Sequence, residues 1–100
     1  MKRTVILFLL SSSQALAEPL TCPQMSEMAE KVMEARQSGV PMAKMMEISE
    51  SNGLGEPEIN FMQGAIAMAY EETAWRTEEA QRRAVTEFGN GIMLACVKSR

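Results

Sequence analysis

The chain has 100 residues, with 10 lysines and arginines against 13 acidic residues, all of them glutamate, and no histidine. This length holds one domain at most, and the absence of His excludes nucleophilic catalysis by a Ser–His or Cys–His arrangement. β-Branched residues are scarce while Ala, Met, Glu and Gln are abundant, a balance that predicts an all-α fold.

Residues 1–17 read as a secretory signal peptide. Lys2 and Arg3 form its positive start, and Val5 to Leu10 form an apolar centre too short to span a bilayer. Ala15-Leu16-Ala17 is the small-x-small cleavage pattern, so the mature domain is expected over residues 18–100, without a membrane anchor, periplasmic or secreted. Cleavage leaves 8 basic against 13 acidic residues and a net charge near −5. So acidic a domain argues against nucleic acid and anionic membrane surfaces as partners.

Four helices follow. The first is expected over residues 22–38. Thr21 to Gln24 has capping-box spacing, and Pro23 falls in the first turn, where its missing N–H costs nothing. Met25, Met28, Val32 and Ala35 make one apolar stripe, with Glu27 and Lys31 paired on the other face. Arg36 suits the negative end of the helix, and Gly39 ends it as a left-handed cap.

The second helix is expected over residues 41–51, with Pro41 in its first position. Met42, Met45, Met46 and Ile48 face inward, and Ser49 is a weak spot in that stripe. Residues 52–57 form a loop. The third helix, residues 58–72, is apolar almost all round, which predicts a central position, with Gly64 at a close crossing. Residues 73–76 connect it to the fourth helix, capped by Thr77, with Glu78 and Glu79 suiting its N-terminus and pairing with Arg82 and Arg83. Val85, Phe88, Ile92 and either Ala95 or Cys96 form its buried stripe. Gly89 and Gly91 weaken its middle and mark a bend, or the close approach of another helix or a ligand.

Cys22 and Cys96 are the only cysteines. An even count in a short exported chain predicts a disulfide, here joining the first helix to the fourth.

Few patterns carry chemistry. No phosphate loop, zinc-ligand set or calcium loop is present, and the chain reads as a non-enzyme without a cofactor. Met25, Met28, Met42, Met45 and Met46 place thioethers on common helix faces, and soft thioethers select Cu(I). Methionine is also an ordinary core residue, so copper binding is the alternative reading. Tyr70, Trp75 and Arg76 cluster around the connector between the third and fourth helices. Aromatic and Arg residues on a loop are typical anchors for a binding partner. The competing structural role has Trp75 folded onto the core and Arg76 paired with a glutamate.

Several short motifs combine with this plan: Met33 to Val40, Ala69-Tyr70-Glu71-Glu72, Thr77-Glu78-Glu79, and Phe88-Gly89-Asn90 followed by Cys96. Together they resemble a loose group of short exported, two-cysteine helical proteins of unknown function, met in bacterial, phage and prophage genomes. The resemblance implies the same helical fold and cysteine pairing. A phage origin would favour envelope-directed roles such as superinfection exclusion, lysis control or inhibition of a wall enzyme. The expected function is therefore a periplasmic binding or inhibitor module acting on an envelope protein. Copper(I) binding and an acid-stress chaperone-like role, loosened by neutralised glutamates at low pH, are the alternatives.

Overall fold

A computed structural model describes residues 19–100. The leader read over residues 1–17 lies outside the described residues. Four helices follow one another, α1 (Cys22–Gln37), α2 (Met42–Ser51), α3 (Glu56–Ala69) and α4 (Glu78–Lys98), with no strand among the described residues. A disulfide joins Cys22 to Cys96, 74 positions apart, and so ties the first turn of α1 to the last turns of α4.

The ends of α1 form as their residues dictate. The Thr21 hydroxyl accepts from the Gln24 amide at 3.2 Å, and the Thr21 amide donates to Gln24 Oε1 at 2.9 Å, which completes the capping box. At the other end Gly39 takes φ +89°, a conformation that glycine adopts without a side-chain penalty. The Val40 amide then reaches back to the Ala35 carbonyl at 3.0 Å and the Gly39 amide to that of Arg36 at 3.1 Å, a Schellman closure.

The hub of the fold is α1, not the third helix. It packs most extensively on α4 and next on α3, while α2 rests chiefly on α3, and α3 and α4 barely meet. A helix with neighbours on two sides needs two buried stripes. The expected line of Met25, Met28, Val32 and Ala35 is one, fully buried only at Val32. The deeper line is Cys22, Ser26, Ala29, Met33 and Gln37, hidden from hydropathy by its two polar members. Ser26 is accommodated because its hydroxyl donates to the Gly89 carbonyl of α4 at 2.9 Å. The close approach marked by a glycine is here: a Cβ on Gly89 would lie 2.6 Å from Glu30 Cγ. Gly64, expected at a crossing, is exposed, with nothing within 4 Å of where its Cβ would be.

In α2, Pro41 lies just outside the helix as its extended N-cap (φ −65°, ψ 147°), and its carbonyl receives the Met45 amide at 3.2 Å. Ser49 is no weak spot. It is fully buried, donates to the Met46 carbonyl at 2.6 Å and accepts from Gln63 Nε2 of α3 at 3.1 Å, so both roles of the hydroxyl are filled. The third helix begins two residues earlier than expected, because Pro57 fits the first turn as readily as a loop. It also ends earlier, where Glu71 and Glu72 amides fall back to tighter bonds with Met68 and Ala69 carbonyls.

The main core joins Val32 and Met33 of α1, Met45 of α2, and Ala65, Ile66 and Ala69 of α3. α4 contributes Ala84, Val85 and Phe88 at its margin, and Gly89 is its only fully buried residue. Thr77 caps α4 by accepting the Ala80 amide at 3.1 Å. Its exposed pairs Glu78–Arg82 and Glu79–Arg83, at 3.7 and 3.4 Å, add only a few tenths of a kcal/mol each, roughly. No helix among the described residues is long and apolar enough to cross a membrane.

Candidate functional site

The connector from Tyr70 to Arg76 is exposed after its first residue, yet it is held by side chains. Arg36 donates to the Glu72 carbonyl from Nε at 3.2 Å and from Nη2 at 2.9 Å. Gln37 uses both ends of its amide: Nε2 donates to the Thr73 carbonyl and Oε1 accepts the Trp75 amide, each at 2.8 Å. Gln81 of α4 donates to the Trp75 carbonyl at 2.8 Å. Four backbone groups of the connector are thus bound by three side chains of the flanking helices. The last turn of α1 is the anchor, so Arg36 does more than complement a helix end.

These bonds separate the expected cluster of Tyr70, Trp75 and Arg76. Tyr70 turns back toward α1: its hydroxyl donates to the Val40 carbonyl, and the Arg36 guanidinium lies 5.1 Å from its ring centroid. Burial pushes its phenol above the usual 10.0, partly opposed by the Arg36 charge. Tyr70 is therefore a structural brace. Arg76 is exposed and forms no ion pair among the described residues. Trp75 is neither folded away nor fully free: 48% of it is exposed.

Trp75 borders a groove between α4 and the end of α3. α3 and α4 flank α1 without closing on each other, and Met33 of α1 lies at the bottom. One bank is Met68, Glu71, Glu72 and Trp75; the other is Ala84, Glu87, Phe88, Gly91, Ile92 and Ala95 of α4. The space is about 470 Å³. Its lining is apolar apart from the three glutamates. Met68 is 51% exposed here, which explains why α3 is apolar all round without being central: one face opens to the groove. A second hollow of about 440 Å³ lies between Glu34, Gln37 and Ser38 of α1 and the first turns of α4. Several of its polar side chains are already engaged, Arg82 with Glu78 and the two glutamines with the connector. The Trp75 groove is the better candidate because its apolar wall has no partner.

The methionines divide among different tasks. Met25 Sδ lies 3.6 Å from Cys96 Sγ, a packing contact against the disulfide, since that sulfur carries no proton. Met45 is buried in the core and Met46 packs against it, Met28 is half-buried on α1, and Met42 is 39% exposed at the start of α2. Met33 and Met68 line the groove. Sequence reasoning missed Gln37, Gln81, Glu87 and Met68 as parts of this site. One signal was present: from Phe88 to Val97 the fourth helix carries no charge, yet its apolar stripe accounted for only part of that run.

This arrangement can bind an apolar surface and recognise positive charge. Comparison of the chain with protein-family models, curated proteins and solved structures returned no match.

Proposed function

We propose that the protein is a non-enzymatic binding module of an oxidising, extracytoplasmic compartment, periplasmic or secreted, that acts on an envelope protein as an inhibitor or adaptor. The carrying observation is the half-exposed Trp75, held by backbone hydrogen bonds beside an apolar groove. An aromatic residue whose backbone is held before binding loses less freedom on binding, which suits an anchor. Covering the exposed halves of Trp75 and Met68, roughly 200 Å² of apolar surface, is worth about 5 kcal/mol before the costs of association. The disulfide and the leader-like start support the compartment. The resemblance to exported proteins of phage and prophage genomes favours superinfection exclusion or lysis control as the process.

The test is a cross-linked pull-down of the tagged exported protein from its host's envelope fraction, read by mass spectrometry. One stoichiometric partner is expected, lost with Trp75→Ala, with helicity unchanged by circular dichroism. Capture unaffected by Trp75→Ala would remove the groove from the reading. Absence of any specific partner would remove the binding-module reading itself.

A further inference from the structure

We infer that the groove takes a basic amphipathic helix of the partner, with its apolar strip on Met68, Trp75 and the open face of α4 and its Lys or Arg side chains on the acidic banks. This inference rests on the binding-module reading and specifies its ligand.

The α4 bank runs from Ala84 to Ala95, about 16 Å or three helical turns. Its residues at Ala84, Phe88, Gly91, Ile92 and Ala95 share one face, with small positions between large ones, the relief into which another helix packs. Gly91 sharpens the point. A mid-helix glycine costs about 1 kcal/mol relative to alanine. Two residues earlier, Gly89 is explained by the crossing with α1. Gly91 has nothing within 4 Å of its Cβ position, so no contact inside the protein requires it. A backbone left bare toward the groove admits the side chains of a docked helix.

Backbone chemistry also favours a helix. An extended peptide laid against these side chains would leave many amides and carbonyls without partners, because no strand edge is available among the described residues. A helix satisfies its own backbone and presents only side chains.

Glu71 and Glu72 stand on one bank and Glu87 on the other. The ion pairs among the described residues use other carboxylates: Glu47, Glu78 and Glu79. Arg36 is spent on the Glu72 carbonyl and the Tyr70 ring, and Arg76 of the connector pairs with none of the three. Three carboxylates without a cation therefore bracket an apolar floor. They favour a helix flanked by Lys or Arg and repel an acidic one or an anionic lipid surface.

The test uses the exported, disulfide-bonded protein and three Trp-free helical peptides of about 15 residues, some 22 Å long. All carry the same Leu/Ala strip, flanked by Lys, Gln or Glu. Trp75 is the only tryptophan, so its emission reports the groove directly. The Lys peptide is expected to give a saturable blue shift that weakens with salt. The Gln peptide should bind about tenfold more weakly at low salt, and the Glu peptide not detectably. Combined Glu71→Gln, Glu72→Gln and Glu87→Gln should erase the difference between the Lys and Gln peptides, while Gly91→Leu should block both without loss of helicity. Equal binding of the Lys and Glu peptides, or no saturable response to any, would overturn the inference. Competition separates it from the reading on which it rests. An envelope partner retained under saturating Lys peptide and by Gly91→Leu would defeat helix docking and leave the binding module standing. Peptide binding with no envelope partner would do the reverse.

Discussion

Substituting alanine for Gly89 and for Gly91 separates two glycines that the sequence does not distinguish. Both lie inside α4 with ordinary negative φ, so each replacement gains about the same backbone term, roughly 1 kcal/mol. At Gly91 the new methyl meets nothing within 4 Å, and the full gain should appear. At Gly89 it would sit 2.6 Å from Glu30 Cγ and 2.7 Å from Glu30 Oε2, well inside contact distance. Glu30 must then swing out or α1 must move, at an overpacking cost of about 1–3 kcal/mol. Gly91→Ala should therefore raise stability by about 1 kcal/mol, whereas Gly89→Ala should range from neutral to about 2 kcal/mol destabilised. The helix-propensity gain cancels between the two, so their difference measures how closely α1 and α4 approach. Equilibrium urea unfolding with the disulfide intact gives both values, and Glu30→Ala should shrink the gap. A Gly89→Ala protein stabilised as much as Gly91→Ala would refute the expected clash with Glu30.

Four further outcomes follow from the geometry. Gln37→Ala strips partners from the Thr73 carbonyl and the Trp75 amide and should cost about 1–2 kcal/mol; acrylamide quenching of Trp75 should rise as the connector loosens. Replacing both cysteines by serine releases a 74-position loop and should cost about 4 kcal/mol on the chain-entropy account, seen in thermal melts against the oxidised protein. Ser49→Ala leaves Gln63 Nε2 without its buried acceptor and should cost about 1 kcal/mol in urea unfolding. Tyr70 supplies a pH dependence: burial raises its phenol above 10.0 in the folded state, so the unfolded chain releases that proton first. Stability from this group is complete below pH 10.0 and falls as pH rises through the raised folded value. Tyr70→Phe should abolish that alkaline loss while forfeiting about 1 kcal/mol from the hydroxyl bond to Val40. An unchanged alkaline profile in the variant would contradict the assignment.

Local signals were legible wherever the chain itself supplies the partner. Thr21 with Gln24, Gly39 after α1, and Thr77 before Glu78 and Glu79 all act within one turn, and each forms as its spacing requires. The cysteine pair was legible because an even count in a short chain with a leader-like start sufficed. What periodicity could not reveal was which side of each helix meets which neighbour. Ser26 and Gln37 look polar in a pattern, yet both are buried because distant groups satisfy them, the Gly89 carbonyl and the connector. The apolar girth of the third helix admits two explanations, a central position or an open face, and only the packing order around α1 selects the second. The same limit applies to the site. Trp75 and Tyr70 stood out by type, but their division into groove wall and brace depends on Arg36 and Gln37, more than 30 positions away in sequence.

The link between Cys22 and Cys96 also bears on how long the molecule lasts in the presence of proteases. Nearly the whole described chain lies inside one covalent ring. A protease that cuts an exposed stretch, such as the turn after α2 or the connector beside Trp75, opens the chain but does not divide it. The two pieces stay joined through sulfur at the far end of α1 and α4, and the extensive α1–α4 contact surface remains assembled. A single nick is then damage the molecule can carry, and its separation into fragments requires a second cut or a reductant.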